Sequence, residues 1–89
     1  MTAPRRDKMM IIVDILLSLQ SKDLKFTHLL YKSNLSHSRL KEYLDELLHR
    51  GLVQELDTKE GKRYHLTDEG AKFVVEYRRV HEFVKSFGL

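Results

Sequence analysis

Two clusters in this 89-residue chain carry side chains suited to recognition chemistry. One is Ser36, His37, Ser38, Arg39, Lys41 and Glu42, inside SNLSHSRLKEYLDELLHRGL, which runs from Ser33 to Leu52; the other is Lys59, Lys62 and Arg63, around Gly61. An arginine offers a planar fork of donors that can give two parallel hydrogen bonds to a phosphate or to a pair of acceptors. Serine hydroxyls add single bonds, and lysines add point charges. Against them stand Glu42, Asp45 and Glu46, whose carboxylates repel phosphate and leave the segment from Arg39 to Arg50 with three cations and three anions.

Bond-making chemistry is not expected. The chain has no glycine-rich phosphate loop, no nucleophile elbow and no paired-carboxylate pocket, so no catalytic residue is assigned. Its five histidines (His28, His37, His49, His65, His81) are scattered, there is no cysteine, and no pair has metal-ligand spacing, so neither a metal nor another cofactor is expected. Nothing points to a small-molecule ligand.

The elements that must position the two clusters follow from hydrophobic periodicity. Apolar residues at 9, 12, 13, 16, 17 and 19 predict a first helix starting near Arg5, after Pro4, and ending before Ser21-Lys22-Asp23. Leu24 and Phe26 alternate with Lys25 as one short strand. Thr27 is expected to cap a second helix through Lys32, broken by Ser33 and Asn34, with Leu35 plugging the corner. Ser36 then caps a third helix in which Leu40, Leu44, Leu47 and Leu48 share one stripe, with Tyr43 at its edge, and Gly51-Leu52 reads as its stop. LVQELD and KRYHL form two strands joined by TKEG, where Gly61 gives the backbone freedom a hairpin needs. Thr67 caps a last helix whose first turn holds Asp68 and Glu69, and in which Phe73, Tyr77, Val80, Val84 and Phe87 recur at heptad spacing.

Length and a hydrophobic fraction of 42% suit a single domain spanning 1–89, with core and wing over 5–66 and the C-terminal helix over 67–87. The broadest apolar run, Met9 to Leu19, is too short and too polar to span a bilayer. MTAPRRDK shows no cleavable targeting segment, so a cytoplasmic protein is expected. The formal charge is +3, and residues 1–35 hold six basic against three acidic side chains, which puts the excess in the N-terminal third. That balance permits an anionic partner without requiring one.

The corner NLSHSRLKEYLDELLHRGLV, followed by YHLTDEG with its Leu-Thr-x-x-Gly, resembles the winged helix-turn-helix superfamily of regulators. More narrowly, the combination with a heptad-bearing terminal helix resembles small archaeal-type winged-helix DNA-binding proteins that dimerise through an antiparallel coiled coil. The resemblance implies a mainly α fold with a small β-hairpin (α+β), and a long C-terminal dimerisation helix. It implies double-stranded DNA as partner, bound by a homodimeric, nucleoid-associated transcription regulator or small architectural chromatin protein. The third helix would enter the major groove, placing Ser36, His37, Ser38, Arg39, Lys41 and Glu42 at the DNA, with Arg39 suited to a guanine edge and Glu42 able to accept from a cytosine amino group. Lys59, Lys62 and Arg63 of the wing and Lys32 would reach phosphates, joined by Ser33, Lys25 and the arm of Arg5, Arg6 and Lys8. Phe73, Tyr77, Val80, Phe83, Val84 and Phe87 would form the dimer interface. Acidic residues stand where related regulators often carry basic or neutral ones, which leaves open a winged helix that binds protein and no DNA.

Overall fold

The structure, a computed structural model, describes residues 7–89. The predicted first-helix start near Arg5, and the Arg5 and Arg6 arm, lie outside those residues. Helix α1 (Lys8–Ser18) begins where Asp7 takes the cap, its Oδ1 accepting from the Met10 amide at 2.8 Å. Ile11, Ile12, Val13, Ile15 and Leu16 of α1 are buried, which makes this helix the centre of the core.

The strand expected at Leu24 is a single antiparallel bridge. Tyr64 donates to the Leu24 carbonyl at 2.7 Å, and Leu24 donates back at 3.1 Å. This bridge also moves the next cap. With Leu24 pinned, Lys25 stays extended (ψ 159°) and α2 (Phe26–Ser33) starts at once, so Lys25 holds the cap position without a side-chain bond. Thr27 lies exposed inside the helix. Asn34 closes α2 in the left-handed region at φ 56°, a conformation asparagine tolerates better than most residues. Leu35 packs half-buried on the core, as the corner required.

Helix α3 (His37–His49) is capped by Ser36, whose Oγ accepts from the Arg39 amide at 3.3 Å. Leu40, Leu44 and Leu47 are at most 1% exposed, Leu48 and Tyr43 half-buried. The helix ends with Gly51 at φ 75°; Gly51 donates to Leu48 at 3.1 Å and Leu52 donates to Leu47 at 3.0 Å, so two otherwise orphaned carbonyls are satisfied.

Strands β1 (Val53–Thr58) and β2 (Gly61–Leu66) pair antiparallel from Val53↔Leu66 to Thr58↔Gly61, leaving Lys59 and Glu60 as the tip. Val53 and Tyr64 anchor this ribbon in the core. Helix α4 (Asp68–Lys85) is capped by Thr67, which accepts from the Gly70 amide at 3.0 Å and donates to the Gly51 carbonyl at 2.7 Å. Gly70 allows close approach: a Cβ there would strike the Leu52 carbonyl and lie 2.6 Å from Leu66 Cδ1. The Leu-Thr-x-x-Gly signature is therefore a joint, with the leucine and the glycine in contact and the threonine bonding both the first turn of α4 and Gly51, just past the end of α3. Beyond Val74, which is buried, most of α4 is exposed. No helix of the described residues is long and apolar enough to cross a membrane.

Candidate nucleic-acid interface

The leading turns of α3 stand in solvent. Ser36, His37, Ser38, Arg39, Lys41 and Glu42 are all exposed, because the leucine stripe occupies the opposite face. Several are already engaged. The His37 ring lies 4.7 Å from that of Phe26, and the Arg39 guanidinium sits 5.9 Å from the Tyr43 ring centre, a cation–π distance that steers the fork along the helix. Ser36 and Ser38 hydroxyls are 3.5 Å apart. Lys41 reaches Asp45 at 3.2 Å, one turn along.

The carboxylate of Glu46 takes Lys8 at 3.1 Å and Arg50 at 3.4 Å. The hydrogen bond from Lys8 is the main reason its pKa lies below the ordinary glutamate value. Lys8, Arg39, Glu42, Tyr43 and Glu46 line one shallow concavity of about 210 Å³ beside the helix. Long-range contacts such as Lys8 to Glu46 leave no periodic trace in the sequence.

On the hairpin, Lys59 is exposed at the tip and Arg63 is half-buried opposite Leu56. Lys62 is bound to Glu55 at 3.1 Å across the strands, and that contact raises its pKa. Tyr64 ties the hairpin to Leu24 and to the core. Burial, reinforced by Glu55, pushes its hydroxyl pKa up, while the charges of Lys41 on α3 and Lys62 on β2 oppose that rise. Neither Glu55 nor Tyr64 was a sequence candidate, and only the pairing register brings them in.

Lys32 is exposed in the last turn of α2. Ser33 does not join it: the residue is 5% exposed and its hydroxyl donates to the Leu30 carbonyl at 3.3 Å, so the phosphate contact expected of it has no outward group. At the base of the hairpin, His65 Nδ1 lies 2.6 Å from Asp23 Oδ1, linking β2 to the segment before α2.

Along α4 and just past its end, Phe73 and Tyr77 are half-buried, while Val80 (60%), Phe83 (64%), Val84 (41%) and, in the turn after the helix, Phe87 (67%) are wet. The Phe83 and Phe87 rings meet edge-on with centroids 5.2 Å apart. Met9, Leu52, Phe73, Tyr77 and Val80 contribute to an open apolar groove of about 470 Å³. Among the described residues no group of three or more His, Cys, Asp or Glu side chains could hold a metal ion.

This geometry has counterparts. The family model for winged helix-turn-helix proteins matches residues 5–85. An uncharacterized protein of Methanocaldococcus jannaschii is 30% identical over 80 residues, which cover 90% of this chain and 36% of that protein. The chain therefore spans about a third of the length of that curated relative. Among solved structures, Sso10a-2, a DNA-binding protein from Sulfolobus solfataricus, superposes with a TM-score of 0.71 at 23% identity over 93% of this chain and 90% of that one. The transcriptional regulator BldR of Sulfolobus solfataricus gives 0.75 at 16% identity, over 86% of this chain and 58% of its own. At such identities the likeness to both structures is one of fold.

Proposed function

This chain belongs to the winged helix-turn-helix family, and on that premise we propose that it binds double-stranded DNA, with the leading turns of α3 in the major groove and the hairpin on the backbone or minor groove. The observation that supports this most is the exposure of Ser36, His37, Ser38, Arg39, Lys41 and Glu42 opposite the buried leucine stripe of α3, on a helix packed against a hairpin that carries exposed Lys59 and Lys62. In this reading Ser36, Ser38, Lys32, Lys59 and Arg63 touch phosphates, and Lys62 exchanges Glu55 for one. His37, Arg39, Lys41 and Glu42 face the groove. Because the charges from Arg39 to Arg50 cancel, phosphate neutralisation rests on the wing and the N-terminal region, and affinity is modest and falls steeply with salt.

The same reading makes the protein a homodimer. Burying Val80, Phe83, Val84 and Phe87 against a second copy, next to Phe73 and Tyr77, would recover about 1.5 to 3 kcal/mol for each large apolar side chain taken fully out of water. Two heads on one twofold axis suit a cytoplasmic, nucleoid-associated regulator or architectural protein.

The test is a titration with short duplexes at low salt, followed by gel shift and by amide chemical shifts. Residues 36–42 and 58–63 are expected to move together. No complex with any duplex at low salt would end the DNA reading and leave a protein partner for α3 as the alternative. A sedimentation mass equal to one 10.6 kDa chain at tens of micromolar would end the dimer.

A further inference from the structure

Three carboxylates lie on the solvent side of α3, and the fold treats them unequally. Glu46 is clasped by Lys8 and Arg50, and Asp45 by Lys41. Glu42 is exposed and has neither a hydrogen bond nor an ion pair among the described residues. The nearest cation by helical spacing is Arg39, three residues back on the same face, and its guanidinium lies over Tyr43 instead. Both residues line the concavity beside the helix.

An unneutralised carboxylate on a surface that approaches phosphates opposes binding to every sequence alike, unless it meets donors there. The major groove has only two kinds of donor, the N4 amino group of cytosine and the N6 amino group of adenine. Beside the adenine amino group stands the N7 acceptor of the same base, which faces the second carboxylate oxygen and repels it. The neighbour of the cytosine amino group on its own base is a C–H. A carboxylate therefore selects cytosine.

We propose that Glu42 is a specificity-determining residue whose carboxylate accepts a hydrogen bond from a cytosine N4 amino group, with Arg39 on the adjoining guanine edge or phosphate. This rests on the DNA-binding reading above and adds to it which base is read and by which side chain. Glu46 and Asp45, held by the protein's own cations, are kept from the same role, so the helix carries one carboxylate that reads and two that are neutralised.

The experiment begins by selecting preferred duplexes from a randomised pool with the wild-type chain. Fluorescence anisotropy at one fixed salt concentration then compares wild type, Glu42→Ala and Glu42→Gln on the selected site, on the site with its cytosine replaced, and on the site carrying N4-methylcytosine. That modified base keeps its pairing with guanine but places a methyl group where the groove-facing amino hydrogen was. The wild type is expected to lose about tenfold in affinity on either change, the size of one good base contact. Glu42→Ala should level the three duplexes to within about twofold, while its melting temperature stays at the wild-type value. If both variants bind every duplex more tightly by one common factor and keep the preference, Glu42 is a charge penalty and the inference is overturned. Wild-type binding without any preference overturns it too, yet leaves the DNA-binding reading standing, whereas a wild type that binds no duplex removes both.

Discussion

Helices α3 and α4 carry the same kind of apolar period, yet the fold covers one and leaves the other open. In α3 the stripe of Leu40, Leu44 and Leu47 is closed off by α1, α2 and β1, and two of the three carboxylates on its outer side are matched by cations. In α4 only Gly70 and Val74 are buried, and the seam continues past them into water. Periodicity thus specifies that a face will be covered but does not say by what. For α3 the cover is the same chain; for α4 the second copy proposed above would supply it.

The largest expected effect breaks the covered side of this comparison. Leu44→Ala leaves a cavity beneath α3 and should cost about 2 to 5 kcal/mol in urea denaturation, a large share of what a domain this small has. Gly70→Ala attacks the junction between the two helices. Its methyl meets the backbone carbonyl of Leu52 rather than a mobile side chain, so α4 must shift, at a cost of about 1 to 3 kcal/mol and a lowered melting temperature. Val84→Asp sharpens the other side: in dilute solution, where chains are single, stability should stay within about 0.5 kcal/mol of wild type. Its sedimentation mass at tens of micromolar should drop to one chain while the parent's does not. Smallest is Glu46→Gln. The Glu46 pKa is depressed from its usual 4.5 by Lys8 and then Arg50, so its contribution is present above that value and lost as pH falls through the lower folded one. The wild type should lose slightly more stability than Glu46→Gln between neutral pH and pH 3, as read by melting curves.

Local rules carried most of the fold. The Ser36 and Thr67 caps, the Gly51 stop, the leucine stripe and the glycine-tipped hairpin all depend on residues within a few positions of one another, where propensity and period decide. What escaped depends on distant partners. Thr27 has the side chain of a cap, but the bridge between Leu24 and Tyr64 starts the helix before it. Ser33 has a donor for phosphate, but packing turns it inward. In the candidate site the residue types were legible from sequence alone, while their engagement was not: Lys62 with Glu55, Lys8 with Glu46 and Asp23 with His65 come from the tertiary fold or from strand register.

The Thr67 hydroxyl has a mechanical consequence. One oxygen donates to the Gly51 carbonyl, just past the end of α3, and accepts from the Gly70 amide in the first turn of α4, so the two helix ends meet at a single atom. In the dimer proposed above, this shared atom would couple the angle at which two α4 helices cross to the orientation of each α3.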